Sequence, residues 1–88
     1  KTYECADEVK WKVVEDIAEQ YRSRGLEINT IDGVKAYFDD GWVLIRPSNT
    51  MPQIKMTAEA KTEKRLREIV EEAEDLIKAS IKKLASGR

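Results

Sequence analysis

Histidine is absent from this 88-residue chain, and cysteine occurs once, at Cys5. The first absence removes the commonest general base and the commonest metal ligand. The second rules out an intrachain disulfide and a cysteine-built zinc site, and it fits a reducing cytoplasm. Neither sign of charge predominates: sixteen basic and seventeen acidic side chains leave a formal net charge of −1. That is too little field to gather nucleic acid or an anionic membrane, so any anion site must be local. No run approaches the roughly 18 apolar residues of a membrane span, and no signal peptide is recognisable. With four glycines and two prolines, no Gly/Ser/Pro linker divides the chain. It reads as one domain over residues 1–88, able to bury about 60% of its unfolded surface, with little room for a private active-site cavity. It begins at Lys1 with a strand-like segment and no initiator methionine, and so reads as a piece cut from something longer.

What is present is strongly periodic. Val13, Val14, Ile17, Ala18 and Tyr21 recur at helical spacing and predict a helix over 7–24 with a core-facing stripe. Asp7 is the expected N-cap, Gly25 the expected left-handed C-terminal cap, and Trp11 the expected cover for the core edge. From Leu26 the period changes to two. The pairs Asp32-Gly33 and Asp40-Gly41 read as tight hairpin turns between strands over 27–31, 34–38 and 42–46. A fourth strand over 53–60 sets Ile54, Met56 and Ala58 on one face and Lys55, Thr57 and Glu59 on the other. Val43 and Ile45 share a face opposite Trp42, Leu44 and Arg46, so the second side of the sheet is not simply wet. Trp42 fits either an ordinary packed position or a contact with a neighbouring domain.

Thr62 then caps a long helix carrying Leu66, Ile69, Val70, Ala73, Leu76, Ile77, Ile81 and Leu84 toward the sheet. On its solvated side Glu63/Arg67, Lys64/Glu68 and Glu74/Lys78 lie at i,i+4, each pair worth about 0.3 kcal/mol. The tail over 85–88 has lost the stripe and is expected to fray. The expected fold is thus α+β: an antiparallel sheet of about four strands with two helices packed on it.

The segment Trp42-Val43-Leu44-Ile45-Arg46-Pro47-Ser48-Asn49-Thr50-Met51-Pro52 carries the chemistry. An apolar strand runs into a loop crowded with anion-binding groups. Arg46 offers a bidentate guanidinium fork, Ser48 and Thr50 offer hydroxyls, and Asn49 an amide. The flanking prolines restrict the backbone, and Asn49 tolerates the left-handed conformation that a nest of N–H groups requires. Serine, asparagine, threonine and proline also make ordinary turns, so the loop alone leaves an anion site and a plain turn equally open.

Together with Asp32-Gly33-Val34-Lys35, Asp40-Gly41 and Ala58-Glu59-Ala60, this segment resembles the C-terminal domain (domain 4) of the α-D-phosphohexomutases. These are the phosphomannomutases, phosphoglucomutases and phosphoglucosamine mutases. The family loop commonly reads Arg-Pro-Ser-Gly-Thr-Glu-Pro, and this chain departs from it at Asn49 and Met51. Asn in place of Gly is similar to the dual-specificity phosphomannomutase/phosphoglucomutase branch. Met51 takes an acidic side chain out of the loop and leaves its phosphate-binding positions intact.

The resemblance implies a TATA-box-binding-protein-like fold, a likeness of shape with no DNA binding attached. It also implies a larger multidomain, Mg2+-dependent isomerase that interconverts hexose 1-phosphate and hexose 6-phosphate through a phosphoserine and a bisphosphorylated sugar. On that analogy Arg46, Ser48, Asn49 and Thr50 bind a substrate phosphate, and Lys55 gives electrostatic support. The phosphoserine, the metal ligands and the sugar-specificity loop lie in other domains of the same enzyme, which are this domain's partners along with the hexose phosphate. This fragment then holds no catalytic residue and binds no metal. The rival reading is a stand-alone α+β interaction or RNA-binding module, against which the balanced charge and missing basic-aromatic pattern both count.

Overall fold

The computed structural model describes residues 1–86. Seven elements follow in order: β1 (Thr2–Glu4), α1 (Asp7–Ser23), β2 (Glu27–Asn29), β3 (Val34–Phe38), β4 (Gly41–Pro47), β5 (Gln53–Ala60) and α2 (Glu63–Ser86). The strands form one antiparallel sheet in the order β1-β5-β4-β3-β2. The α+β class expected from the periodicity is the fold observed. The sheet has five strands because the opening segment pairs with β5, Tyr3 opposite Ile54.

Both helices pack on one face. The stripe Val13, Val14, Ile17, Ala18 and Tyr21 of α1 is buried, as are Ile69, Ala73 and Ile77 of α2. They meet Val34, Ala36, Val43, Ile45, Ile54 and Met56 from the sheet. Each fully buried Ile or Val contributes roughly 1.5–3 kcal/mol of transfer free energy, so this layer is the main source of stability. The opposite face carries Lys35, Tyr37, Trp42, Leu44, Arg46, Lys55, Thr57 and Glu59, which the strand register places on one side. Trp42 lies there half-buried under Lys35, whose Nζ sits 4.3 Å from the indole centroid.

The ends of the elements refine the expectations. Asp7 is the first helical residue; the N-cap is Ala6, which makes no side-chain cap bond. Asp7 turns instead to Lys10, at 2.9 Å. The C-terminus of α1 closes as expected on Gly25, φ 81°. Gly25 N–H donates to Arg22 O and Leu26 N–H to Tyr21 O, the two bonds of a Schellman motif. Thr62 caps α2 through its Oγ1, which accepts Arg65 N–H at 3.1 Å.

The Asp40-Gly41 pair is not the turn itself: Phe38 pairs with Gly41 across a turn at Asp39 and Asp40, and Gly41 is already in β4 without a positive φ. A Cβ there would lie 2.5 Å from Glu59 O, so close approach to β5 is what selects glycine. The first hairpin is looser than a two-residue turn, because β2 stops at Asn29 and its Oδ1 accepts Ile31 N–H. Trp11 remains 56% exposed and flanks an open groove with Ile31 rather than covering the core.

None of the three i,i+4 pairs forms an ion pair among the described residues. Two of the three acids pair elsewhere, Glu74 with Lys1 and Glu68 with Arg65, and Glu72 of the same helix pairs with Arg24. Helix α2 extends through Ser86; Gly87 and Arg88, the rest of the tail expected to fray, lie outside the described residues. A polar clamp joins the helices, in which the buried Ser80 donates its hydroxyl to Asp16 Oδ2 at 2.7 Å and Lys83 Nζ reaches Asp16 Oδ1 at 3.0 Å.

Candidate anion-binding site

Strand β4 alternates its side chains, so burying Val43 and Ile45 necessarily turns Arg46 to the open face. Its register partner on β5 is Lys55. Neither side chain forms an ion pair or a side-chain hydrogen bond among the described residues. Two like charges directly opposite one another are unfavourable by a few tenths of a kcal/mol up to about 1. A bound anion between them would reverse that sign.

The loop over 48–52 closes on itself. Ser48 N–H donates to Gln53 O at 2.9 Å, and Gln53 N–H to Met51 O at 2.8 Å. Ser48 is only 1% exposed, and its Oγ accepts the Thr50 and Met51 N–H groups at 3.3 and 3.1 Å. The expectation of a left-handed Asn49 is not met: no non-glycine residue described has a positive φ. The physical reason lies in Ser48, whose hydroxyl gathers the following amides and bends the chain without an αL residue. Ser48 is therefore turned inward as the organiser of the loop, while Asn49 and Thr50 are exposed at its tip.

Two residues distant in sequence complete the geometry: Lys10, which sequence reasoning passed over, and Gly33, which it read only as part of a hairpin turn. Lys10 of α1 is 7% exposed beneath the loop. Its Nζ donates to Ser48 O at 2.6 Å and Met51 O at 3.3 Å and meets Asp7 Oδ1 at 2.9 Å. The signal was available: Lys10 precedes Val13 by three residues and Val14 by four, so it falls on the core stripe, where an unpaired ammonium is too costly to keep. Gly33, φ 83°, packs so tightly that a Cβ would meet Ile45 O and, at 2.6 Å, Arg46 Cβ. The β2–β3 turn thus braces the backbone that presents Arg46.

The remaining chemistry is sparse. Burial pushes the Cys5 thiol above its ordinary value, against the pull of Lys10, so it stays protonated and packs as a small apolar group. Among the described residues there is no group of three or more His, Cys, Asp or Glu that could hold a metal ion. No helix described is long and apolar enough to cross a membrane. The arrangement offers cations, hydroxyls and amides.

Comparison with known proteins gives the same region a family context. Residues 3–76 match the model described as "Phosphoglucomutase/phosphomannomutase, C-terminal domain". The chain is 40% identical over 84 residues to a protein named probable phosphoglucosamine mutase from Methanopyrus kandleri, covering 96% of this chain and 19% of that protein. It is 43% identical over 70 residues to a phosphoglucomutase/phosphomannomutase from Thermococcus kodakarensis, covering 80% of this chain and 15% of the relative. A phosphopentomutase of the same organism is 41% identical over 83 residues, covering 89% of this chain and 18% of its own length. The chain thus spans about a fifth or less of the length of these relatives.

Proposed function

Because the chain belongs to the phosphoglucomutase/phosphomannomutase C-terminal domain family, we propose that it is the phosphate-gripping domain of a larger phosphohexomutase. In this reading Arg46 anchors the phosphate that is not being transferred, with Asn49 and Thr50 as orienting donors, Ser48 shaping the loop and Lys55 adding charge from β5. The supporting observation is the Arg46–Lys55 pair, two uncompensated cations in register beside a loop whose exposed tip is polar. A grip of this kind lowers the barrier by holding the substrate at its unreactive end while the other end reacts elsewhere.

The reaction proposed for the whole enzyme interconverts hexose 1-phosphate and hexose 6-phosphate in the cytoplasm. Its phosphoserine and Mg2+ ligands lie in domains outside this chain, and the metal there would neutralise charge on the moving phosphoryl group. The names of the relatives divide between glucosamine and glucose or mannose, with one pentose mutase among them. The glucose/mannose branch suggested by Asn49 is accordingly a choice for assay. The full-length protein that carries this domain should convert at least one of glucose, mannose or glucosamine 1-phosphate. Arg46→Ala should lower kcat/KM by about 2–3 kcal/mol, a factor of roughly 30 to 160, chiefly through KM. Unchanged kinetics in that variant would contradict the role given to the loop.

A further inference from the structure

Lys10 donates two hydrogen bonds to loop carbonyls and forms an ion pair with Asp7, at a depth where a lysine is rarely kept. Asp7 balances its charge, so Lys10 adds little attraction for an anion above the loop. What it does determine is direction. In a trans peptide the carbonyl and the following N–H point opposite ways, and no cis peptide occurs among the described residues. With Ser48 O drawn down to Nζ at 2.6 Å, the Asn49 N–H is turned up and away from the core. The next two amides, of Thr50 and Met51, are both committed to Ser48 Oγ.

We infer that Lys10 is a positioning residue that holds the Ser48–Asn49 peptide so that the Asn49 backbone N–H faces outward and joins Arg46 as a donor to the bound phosphate. The inference rests on the phosphate-site reading above and adds to it a buried residue on α1 and one specific main-chain donor. It assigns Asn49 a role that its side chain does not carry. It also accounts for a lysine on an otherwise apolar stripe: an apolar residue there would leave two loop carbonyls unpaired and free the peptide to rotate.

The test is a titration of inorganic phosphate into the 15N-labelled chain, wild type and Lys10→Met, following backbone amides and the Arg46 Nε–H. In the wild type, phosphate should shift both Asn49 N–H and Arg46 Nε–H, and in free protein the Asn49 amide should exchange with solvent faster than those of Thr50 and Met51. In Lys10→Met the affinity should fall about tenfold, with the Asn49 response lost and the Arg46 response retained. A purely structural loss would weaken both responses together, and that result overturns the inference. So does a Lys10→Met chain that binds as the wild type does, with its Asn49 shift intact. Should Lys10→Met not fold, the wild type decides alone: an Asn49 amide as protected as that of Met51, or unmoved by phosphate while Arg46 Nε–H shifts, overturns it. A wild type in which neither Arg46 nor the loop responds instead contradicts the phosphate site itself.

Discussion

Arg46 and Lys55 face each other across β4 and β5 as register partners, and neither has an acidic partner among the described ion pairs. Like charges placed opposite one another contribute nothing favourable to folding. Arg46→Ala should leave unfolding free energy unchanged within about 0.5 kcal/mol or raise it slightly. Thermal melts check this; a loss above about 1 kcal/mol would make Arg46 a structural side chain.

Glycine at position 33 is required twice over, by its φ of 83° and by its contact with the backbone of Ile45 and Arg46. Gly33→Ala should destabilise by about 2–4 kcal/mol, combining left-handed strain with overpacking. Gly25 shares the positive φ but has open space around it, so Gly25→Ala should cost only about 1 kcal/mol. Urea unfolding of the two variants side by side measures the difference. Equal costs would show that the brace behind Arg46 is not tight.

The clamp between the helices predicts an acid limb of stability. Burial raises the Asp16 carboxyl, but hydrogen bonds from Ser80, Lys83 and Gln20 outweigh it and hold the group below its usual value. A depressed folded pKa means the contribution is present above the unfolded aspartate value of about 3.9 and is lost as pH falls through the folded value. Asp16→Ala should cost about 1–3 kcal/mol at neutral pH, because Ser80 is left buried without its acceptor. The variant should also lose less stability than the wild type between pH 4 and lower values. Parallel acid limbs in the two proteins would refute the assignment.

Periodicity made the core legible. The α1 stripe and the inward residues of β4 and β5 could be named because burial on one face leaves a pattern of 3.6 or 2 that any packed layer must show. Strand β1 was harder, since three residues carry too little pattern and its pairing with β5 spans most of the chain. Arg46, Asn49 and Thr50 could be proposed as anion ligands from residue type, but the inward turn of Ser48 could not be foreseen, because it depends on which amides its hydroxyl meets in space. Lys10 and Gly33 belong to elements distant in sequence from the loop, and only the fold brings them beneath and beside it.

Phosphate titration of the chain at low salt, followed by NMR, tests whether the strand end and loop over 46–50 form an anion site. The wild type should bind phosphate with a dissociation constant of about a millimolar, roughly 4 kcal/mol, weakening as salt is added. The first resonances to move should be those of Arg46, Asn49 and Thr50, and Arg46→Ala should weaken binding by at least about tenfold. Shifts confined to the helices, or an Arg46→Ala chain with undiminished affinity, would contradict the account.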